Sequence, residues 1–241
     1  MLIVLASGKG GVAKSTSAIA ISAALRELGL DPVLLDLDSG GDLTWSLGFE
    51  PADAALDVLR GRRSLLESVA VSPEGLRVVA ASPGLLWLEG RPVAEIATKL
   101  RDIAKTQLVI VDTPPGFAPI GTRAAISAAG IVVVPFVPEP TAERRARHVL
   151  DIAAVLEADP KIFGLGVMVD GRRALTAAIL DDARDGGLAP IALVPRAVVV
   201  PESSNAARSV IAHAPRSPAA EAYRTAAKRL YNEIRKSERS K

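Results

Sequence analysis

The chain of 241 residues has no cysteine. Disulfides, cysteine-held iron–sulfur clusters and zinc thiolate sites are therefore excluded. Its two histidines, His148 and His213, lie far apart without carboxylates at ligand spacing, so both read as surface or helix-packing residues. No apolar run reaches the ~18 residues that a membrane helix needs. Met1 opens directly into a strand-like run that Lys9 interrupts, which is unlike a secretory leader. Low-complexity linkers and internal repeats are also missing, so one domain spanning 1–241 is expected. Charge of one sign is scarce as well, with a formal net charge of +2. What basic excess there is lies late: Arg224 to Lys241 holds seven basic and two acidic side chains.

What is present begins at once. The apolar run Leu2-Ile3-Val4-Leu5-Ala6 leads into Gly8-Lys9-Gly10-Gly11-Val12-Ala13-Lys14-Ser15-Thr16. A buried strand entering a glycine-rich loop, with a helix behind it, is a phosphate-binding arrangement. The glycines let backbone N–H groups turn inward around phosphate, Lys14 supplies a point charge for the β- and γ-oxygens, and the Ser15 hydroxyl suits Mg²⁺. Lys9 adds a cation that an ordinary phosphate loop does not need.

Composition supports a doubly wound core. Apolar residues make up 49% of the chain, enough to cover a sheet on both faces. Strand-length runs fall at 2–6, 32–36, 76–80, 107–112, 130–135, 162–169 and 190–194. Helical spacing covers 14–28, 93–105, 120–129, 141–157, 173–185 and a basic last helix over 217–236. The expected class is α/β, a single-domain P-loop NTPase with a mostly parallel twisted sheet and helices on both faces. Ligands of such sheets bind beyond the carboxyl ends of the strands.

Two strand exits carry acids. The second strand ends in Asp36-Leu37-Asp38 followed by Ser39-Gly40-Gly41-Asp42, a flexible switch-like segment. Asp38 is assigned to orient the attacking water and to the metal, because phosphoryl transfer depends on positioning and charge. Asp36 and Asp42 suit outer contacts. The fourth strand ends in Asp112 and runs into Thr113-Pro114-Pro115-Gly116, which reads as a Walker B strand and a second switch. Asp112 would hold Mg²⁺ with Ser15. After the fifth strand, Pro135, Pro138 and Pro140 offer a rigid wall for a planar base, or a plain loop. Trp45 is expected to pack the first switch, and Trp87 to cover a sheet edge or a partner contact.

Lys9 with Lys14, the Asp-x-Asp exit and Asp-Thr-Pro-Pro together resemble the deviant Walker A, or ParA/MinD, ATPases. The resemblance extends to Val194-Pro195-Arg196, Glu202 and Ala220-Glu221-Ala222-Tyr223, similar to the C-terminal region of ParA partition proteins. It implies a slow ATPase binding ATP or ADP with Mg²⁺. It also implies an ATP-dependent homodimer in which Lys9 crosses to the partner's phosphate, and a catalytic set of Lys9, Lys14 and Asp38. Further implied are non-specific DNA binding, stimulation by a ParB-type centromere-binding protein, and a cytoplasmic, nucleoid-associated location. By position, Arg184 and Arg196 fall in the regions that carry DNA contacts in ParA proteins. Arg172, Arg173, Arg208, Arg216, Lys228, Arg229, Arg235 and Lys236 are further basic candidates, with Arg144, Arg145 and Arg147 on one helix. The chain as given starts at its first strand, so the N-terminal helix-turn-helix of larger ParA proteins is not expected. Its last fourteen residues carry few bulky apolar side chains, which argues against stable membrane association.

One residue departs from the family pattern. Ala13 stands where the loop usually has glycine, and its cost depends on φ: little if negative, about 1 kcal/mol of strain if positive. Alternatives are a MinD- or McdA-like positioning ATPase for protein or membrane cargo, a dethiobiotin-synthetase-like ligase, and a non-hydrolysing paralogue.

Overall fold

Strand β1 (Leu2–Leu5) is apolar at every position because both of its faces are covered. Leu2 and Val4 point into one core, and Ile3 and Leu5 into the other. That period of two is the reason a continuous apolar run is a central strand here and not one turn of a helix. The computed structural model describes residues 1–139, 142–170 and 174–239.

The sheet has eight strands in the order β3-β4-β2-β5-β1-β6-β7-β8. They are β1, β2 (Val33–Asp36), β3 (Ala70–Val71), β4 (Arg77–Val79), β5 (Val109–Asp112), β6 (Ile131–Phe136), β7 (Lys161–Val169) and β8 (Pro190–Pro195). All pairings are parallel except β3 with β4. β1 sits between β5 and β6, so chain direction across the sheet reverses beside it. The crevice at such a reversal receives the ligand.

One face carries α1 (Lys14–Glu27), α2 (Asp42–Ser46), α8 (Val199–Asn205), α9 (Val210–His213) and α10 (Pro218–Arg239). The other carries α3 (Ala54–Leu59), α4 (Val93–Thr106), α5 (Ile120–Ala128), α6 (Ala142–Val155) and α7 (Ala174–Asp185). The side chains of 142–146 and 174–177 lie outside the described residues, as do Pro140, Arg172 and Arg173; Arg144 and Arg145 are therefore not placed.

Helix α10 is tied to α1 at two levels and to β7 at a third. The Tyr223 and Ser17 hydroxyls are 3.2 Å apart inside the core, and burial pushes the Tyr223 phenol up to about 12. The Arg224 guanidinium grips Glu27 with bonds of 2.7 and 3.0 Å. Farther along, buried Glu233 accepts from both Lys161 and Lys236 at 2.9 Å, and these bonds hold its carboxyl down near 2.

The seven expected strands all form within a residue or two. The sequence reading had no place for β3, the 3₁₀ turn at Pro83–Gly90 or the short helices α2, α3, α8 and α9, which are too brief to show a period. Trp45 is 54% exposed, with one ring edge 3.8 Å from where a Cβ on Gly41 would lie, so it rests on the loop from outside. Trp87 lies between two guanidinium groups, Arg60 at 4.6 Å and Arg91 at 4.7 Å from its ring centroid.

Candidate functional site

The loop between β1 and α1 is built by backbone angles that few residues adopt. Gly11 has φ +72° and Ala13 has φ +55°. Ala13 is the cap of α1, with no side chain bonding the first turn, so the amide groups there are free to meet an anion. Its left-handed angle settles the question left by the sequence: the methyl is held under strain of about 1 kcal/mol relative to glycine.

The second switch packs directly on this loop. A Cβ on Gly8 would lie 2.9 Å from the Phe117 ring, so only glycine permits that approach. The Gly116 amide donates to the Ser7 carbonyl at 3.0 Å, and Thr113 donates to the Leu5 carbonyl at 2.8 Å. Phe117 in turn meets His148 edge to face at 5.1 Å, which gives that histidine a packing role.

At the floor, Asp36 and Asp112 are register partners on adjacent strands, both fully buried. Asp36 is engaged: it accepts from the Asp38 amide at 3.0 Å, the Thr44 amide at 3.0 Å and the Thr44 hydroxyl at 2.7 Å. Burial nevertheless pushes its carboxyl up to about 6. Thr44 accepts from the Ala81 amide at 3.0 Å, so Asp36 anchors the first switch rather than facing a ligand. Asp112 is different. Neither of its oxygens has a hydrogen-bond partner of good geometry. Burial raises its proton affinity first and the Asp36 charge second, opposed by the Ser15 hydroxyl and the Lys14 ammonium. An orphaned buried carboxylate beside a hydroxyl and a cation is one arrangement that a hard cation completes. Ser15 and Asp112 therefore fit Mg²⁺ held together with water and phosphate oxygens. Among the described residues no cluster of three acids or histidines forms a cage for metal alone.

Lys14 is only 7% exposed and makes no ion pair among the described residues. Lys9 and the flanking Gly8, Gly10 and Gly11 are exposed, while Val12 is buried beneath them and Ser15 and Thr16 are half-buried. The Lys9 ammonium lies 3.1 Å from the Glu139 carboxylate of its own chain. Asp38 is half-buried, and its carboxylate accepts the Gly40 amide at 2.9 Å, which shapes the turn after β2. Asp42 is exposed at the start of α2.

Beside the loop lies an apolar cavity of about 340 Å³, lined by Ala13, Val167, Met168, Pro195, Pro201 and Tyr223 among others. Pro135 and Pro138 do not line it. Pro135 is buried within β6 opposite Leu165, and Pro138 lies in the loop before Glu139. The prolines that wall the cavity come instead from the exit of β8. Met168 also has a positive φ, +54°, so two strained non-glycine residues meet at one cavity, a pattern found at ligand sites. The signal for Tyr223 in the sequence was a hydroxyl in an apolar stripe; nothing local marked Met168.

Arg184 pairs with Asp181 at 2.6 Å on α7. Arg196 is exposed beyond β8, with its amide bonded to the Val169 carbonyl at 3.1 Å. The two are on different elements, and no ion pair or hydrogen bond joins them.

Comparison with known proteins agrees with this geometry. A family model described as an AAA domain matches residues 1–158. The chromosome-partitioning ATPase Soj of Thermus thermophilus is 32% identical over 242 residues, covering 95% of this chain and 94% of that protein. The MinC:MinD cell division protein complex of Aquifex aeolicus superposes with a TM-score of 0.82 at 22% identity, covering 96% of this chain and 95% of that one, a likeness of fold. Cobyrinic acid a,c-diamide synthase of Mycobacterium smegmatis, with bound ADP and magnesium, gives a TM-score of 0.78 at 25% identity, covering 97% and 95%. With the AAA match over most of its length and Soj aligned along nearly all of it, the chain belongs to the ParA/MinD family of P-loop ATPases.

Proposed function

We propose that this protein is a partition ATPase whose ATP-bound form is a homodimer that binds DNA without sequence preference and is released by Mg²⁺-dependent hydrolysis. The observation that carries the reading is the pairing of buried Lys14 and orphaned Asp112 inside the loop with exposed Lys9 outside it. Lys14 and the free amides of α1 would hold the β- and γ-phosphates, and the cavity beside Ala13 would take the base. Ser15 and Asp112 would hold Mg²⁺, which supplies charge neutralisation at the transferring phosphoryl group. Asp38, at the start of a turn, is placed to orient water. Lys9 has no internal phosphate to serve once Lys14 is in place, so it suits the triphosphate of a second copy.

A ParB-type partner would act by ordering the switches around Asp38 and Pro114–Phe117. Support comes from the likeness to Soj along 95% of the chain. The test is hydrolysis with and without duplex and candidate partner, in wild type and Asp38→Ala. The reading expects Asp38→Ala to bind ATP and stall; unchanged turnover would remove Asp38 from its role.

The likeness to the Mycobacterium smegmatis synthase favours a second reading, an ATP-dependent enzyme that converts carboxyl groups of a substrate to amides. Such an enzyme would assemble without regard to ATP, whereas the switch reading requires ATP to drive assembly.

A further inference from the structure

We propose that the outer face of α10 is the surface on which this protein holds a nucleic-acid duplex by its phosphate backbone. The inference rests on the DNA-binding reading above and assigns it a site. Lys228, Arg229, Asn232, Arg235, Lys236 and Arg239 are all exposed. At 3.6 residues per turn they form one stripe about 17 Å long, several phosphate spacings of a duplex. Acids are kept from its centre. Glu233 is turned inward at 4% exposure, bonded to Lys161 and Lys236. Exposed Glu238 lies toward the edge and pairs with Arg235 at 3.0 Å.

The stripe is shaped as well as charged. Arg229, Tyr231, Asn232, Arg235, Lys236 and Arg239 line a shallow groove of about 430 Å³. Arg235 lies 6.0 Å from the centroid of the Tyr231 ring and Arg229 lies 5.9 Å from that of Phe163, which keeps the two guanidinium groups extended over the surface.

What the helix buries decides between partners. Tyr223, Ala226, Leu230 and Ile234 are packed against the body, so α10 has no apolar face to insert into lipid without unpacking. Its stripe offers cations and hydrogen-bond donors in a line, which is what a phosphate backbone accepts. The same helix reaches the nucleotide site: Tyr223 lines the cavity beside Ala13 and bonds to Ser17 of α1. One continuous element thus joins the base cavity to the basic stripe. Arg184 stands apart on α7, paired with Asp181 at 2.6 Å.

The test uses the full chain with Mg²⁺ and ATP, and a fluorescent duplex of arbitrary sequence, about 30 base pairs, titrated across a salt series. The triple variant Lys228→Ala/Arg235→Ala/Arg239→Ala is expected to bind at least tenfold more weakly and to flatten the log–log salt slope by about 2 to 3. ATP binding and DNA-independent hydrolysis should persist in it, and the charge-keeping triple Lys228→Arg/Arg235→Lys/Arg239→Lys should restore binding. Arg184→Ala should behave as wild type. Wild-type binding that survives the triple change overturns the site while leaving the DNA reading standing. Failure of the wild type to bind duplex in any nucleotide state overturns the DNA reading itself. Tighter binding to vesicles of anionic lipid than to duplex, lost in the triple variant, would make the stripe a membrane surface and overturn the proposal.

Discussion

The Lys9 ammonium is held 3.1 Å from the Glu139 carboxylate of the same chain, with both side chains more than 40% exposed. A lysine expected to serve a second protomer is thus engaged at home in the isolated chain, and pairing with a partner's phosphate requires it to let go. An exposed pair of this kind is worth about 1 kcal/mol at most. Glu139→Gln is therefore expected to tighten ATP-driven dimerisation by up to about fivefold. Analytical ultracentrifugation over a concentration series reads this directly, and weaker assembly would mean that Glu139 supports the dimer.

Ala13 concerns nucleotide affinity. Because it sits at φ +55°, Ala13→Gly should relieve about 1 kcal/mol of loop strain and bind ATP several-fold more tightly. Calorimetric titration of both proteins measures the difference. Equal affinities would mean that the loop carries no strain that matters to the ligand, and no ATP binding by the wild type would end the nucleotide reading.

Two buried acids give opposite pH signatures. The Asp36 carboxyl is raised to about 6, chiefly by burial, so the folded state holds its proton more tightly than the unfolded chain. Stability from this group is present below about pH 4 and is lost as pH rises through about 6. The nucleotide-free protein should accordingly soften between those values, with less softening in Asp36→Asn. Urea midpoints across the pH range test it, and a rising midpoint in that window would contradict the assignment.

Glu233 behaves in the opposite sense. Its bonds to Lys161 and Lys236 lower its carboxyl to about 2, so its contribution is present above the ordinary value near 4.5 and disappears as pH falls toward 2. The two lysines are more than half exposed, which limits the effect to about 1 kcal/mol. Glu233→Gln should cost about that much at pH 7 and nothing near pH 2, as read from thermal or urea unfolding.

Much of the architecture was legible because the physics is local in sequence. β1, β2 and β5 are apolar runs ended by an acid or a glycine-rich turn, β6 is an apolar run that leaves through Val137-Pro138, and α1 follows a phosphate loop, so pattern and spacing were enough. The pairing of β3 with β4 was not visible, since two residues carry no period. Long-range contacts were also hidden. Nothing near Asp36 indicates that the Asp38 amide and Thr44 would consume its bonding capacity and leave Asp112 as the orphan. Pro135 and Pro138 are singled out by composition alone; the register of β6 with β7 buries Pro135 opposite Leu165, and the prolines at the apolar cavity, Pro195 and Pro201, come from the end of β8 and from α8. The angle at Ala13 depends on the whole loop, and only the folded chain decides it.

The central claim is that two copies close over ATP with Lys9 reaching across. Light scattering of the full chain with ATP and Mg²⁺, with ADP, and without nucleotide tests it most directly, set beside Lys9→Ala. The account predicts a dimer of the wild type with ATP only, and loss of that dimer or of its hydrolysis in Lys9→Ala. A wild-type protein that stays monomeric in all three conditions, or a Lys9→Ala variant that dimerises and hydrolyses ATP as the wild type does, would contradict it.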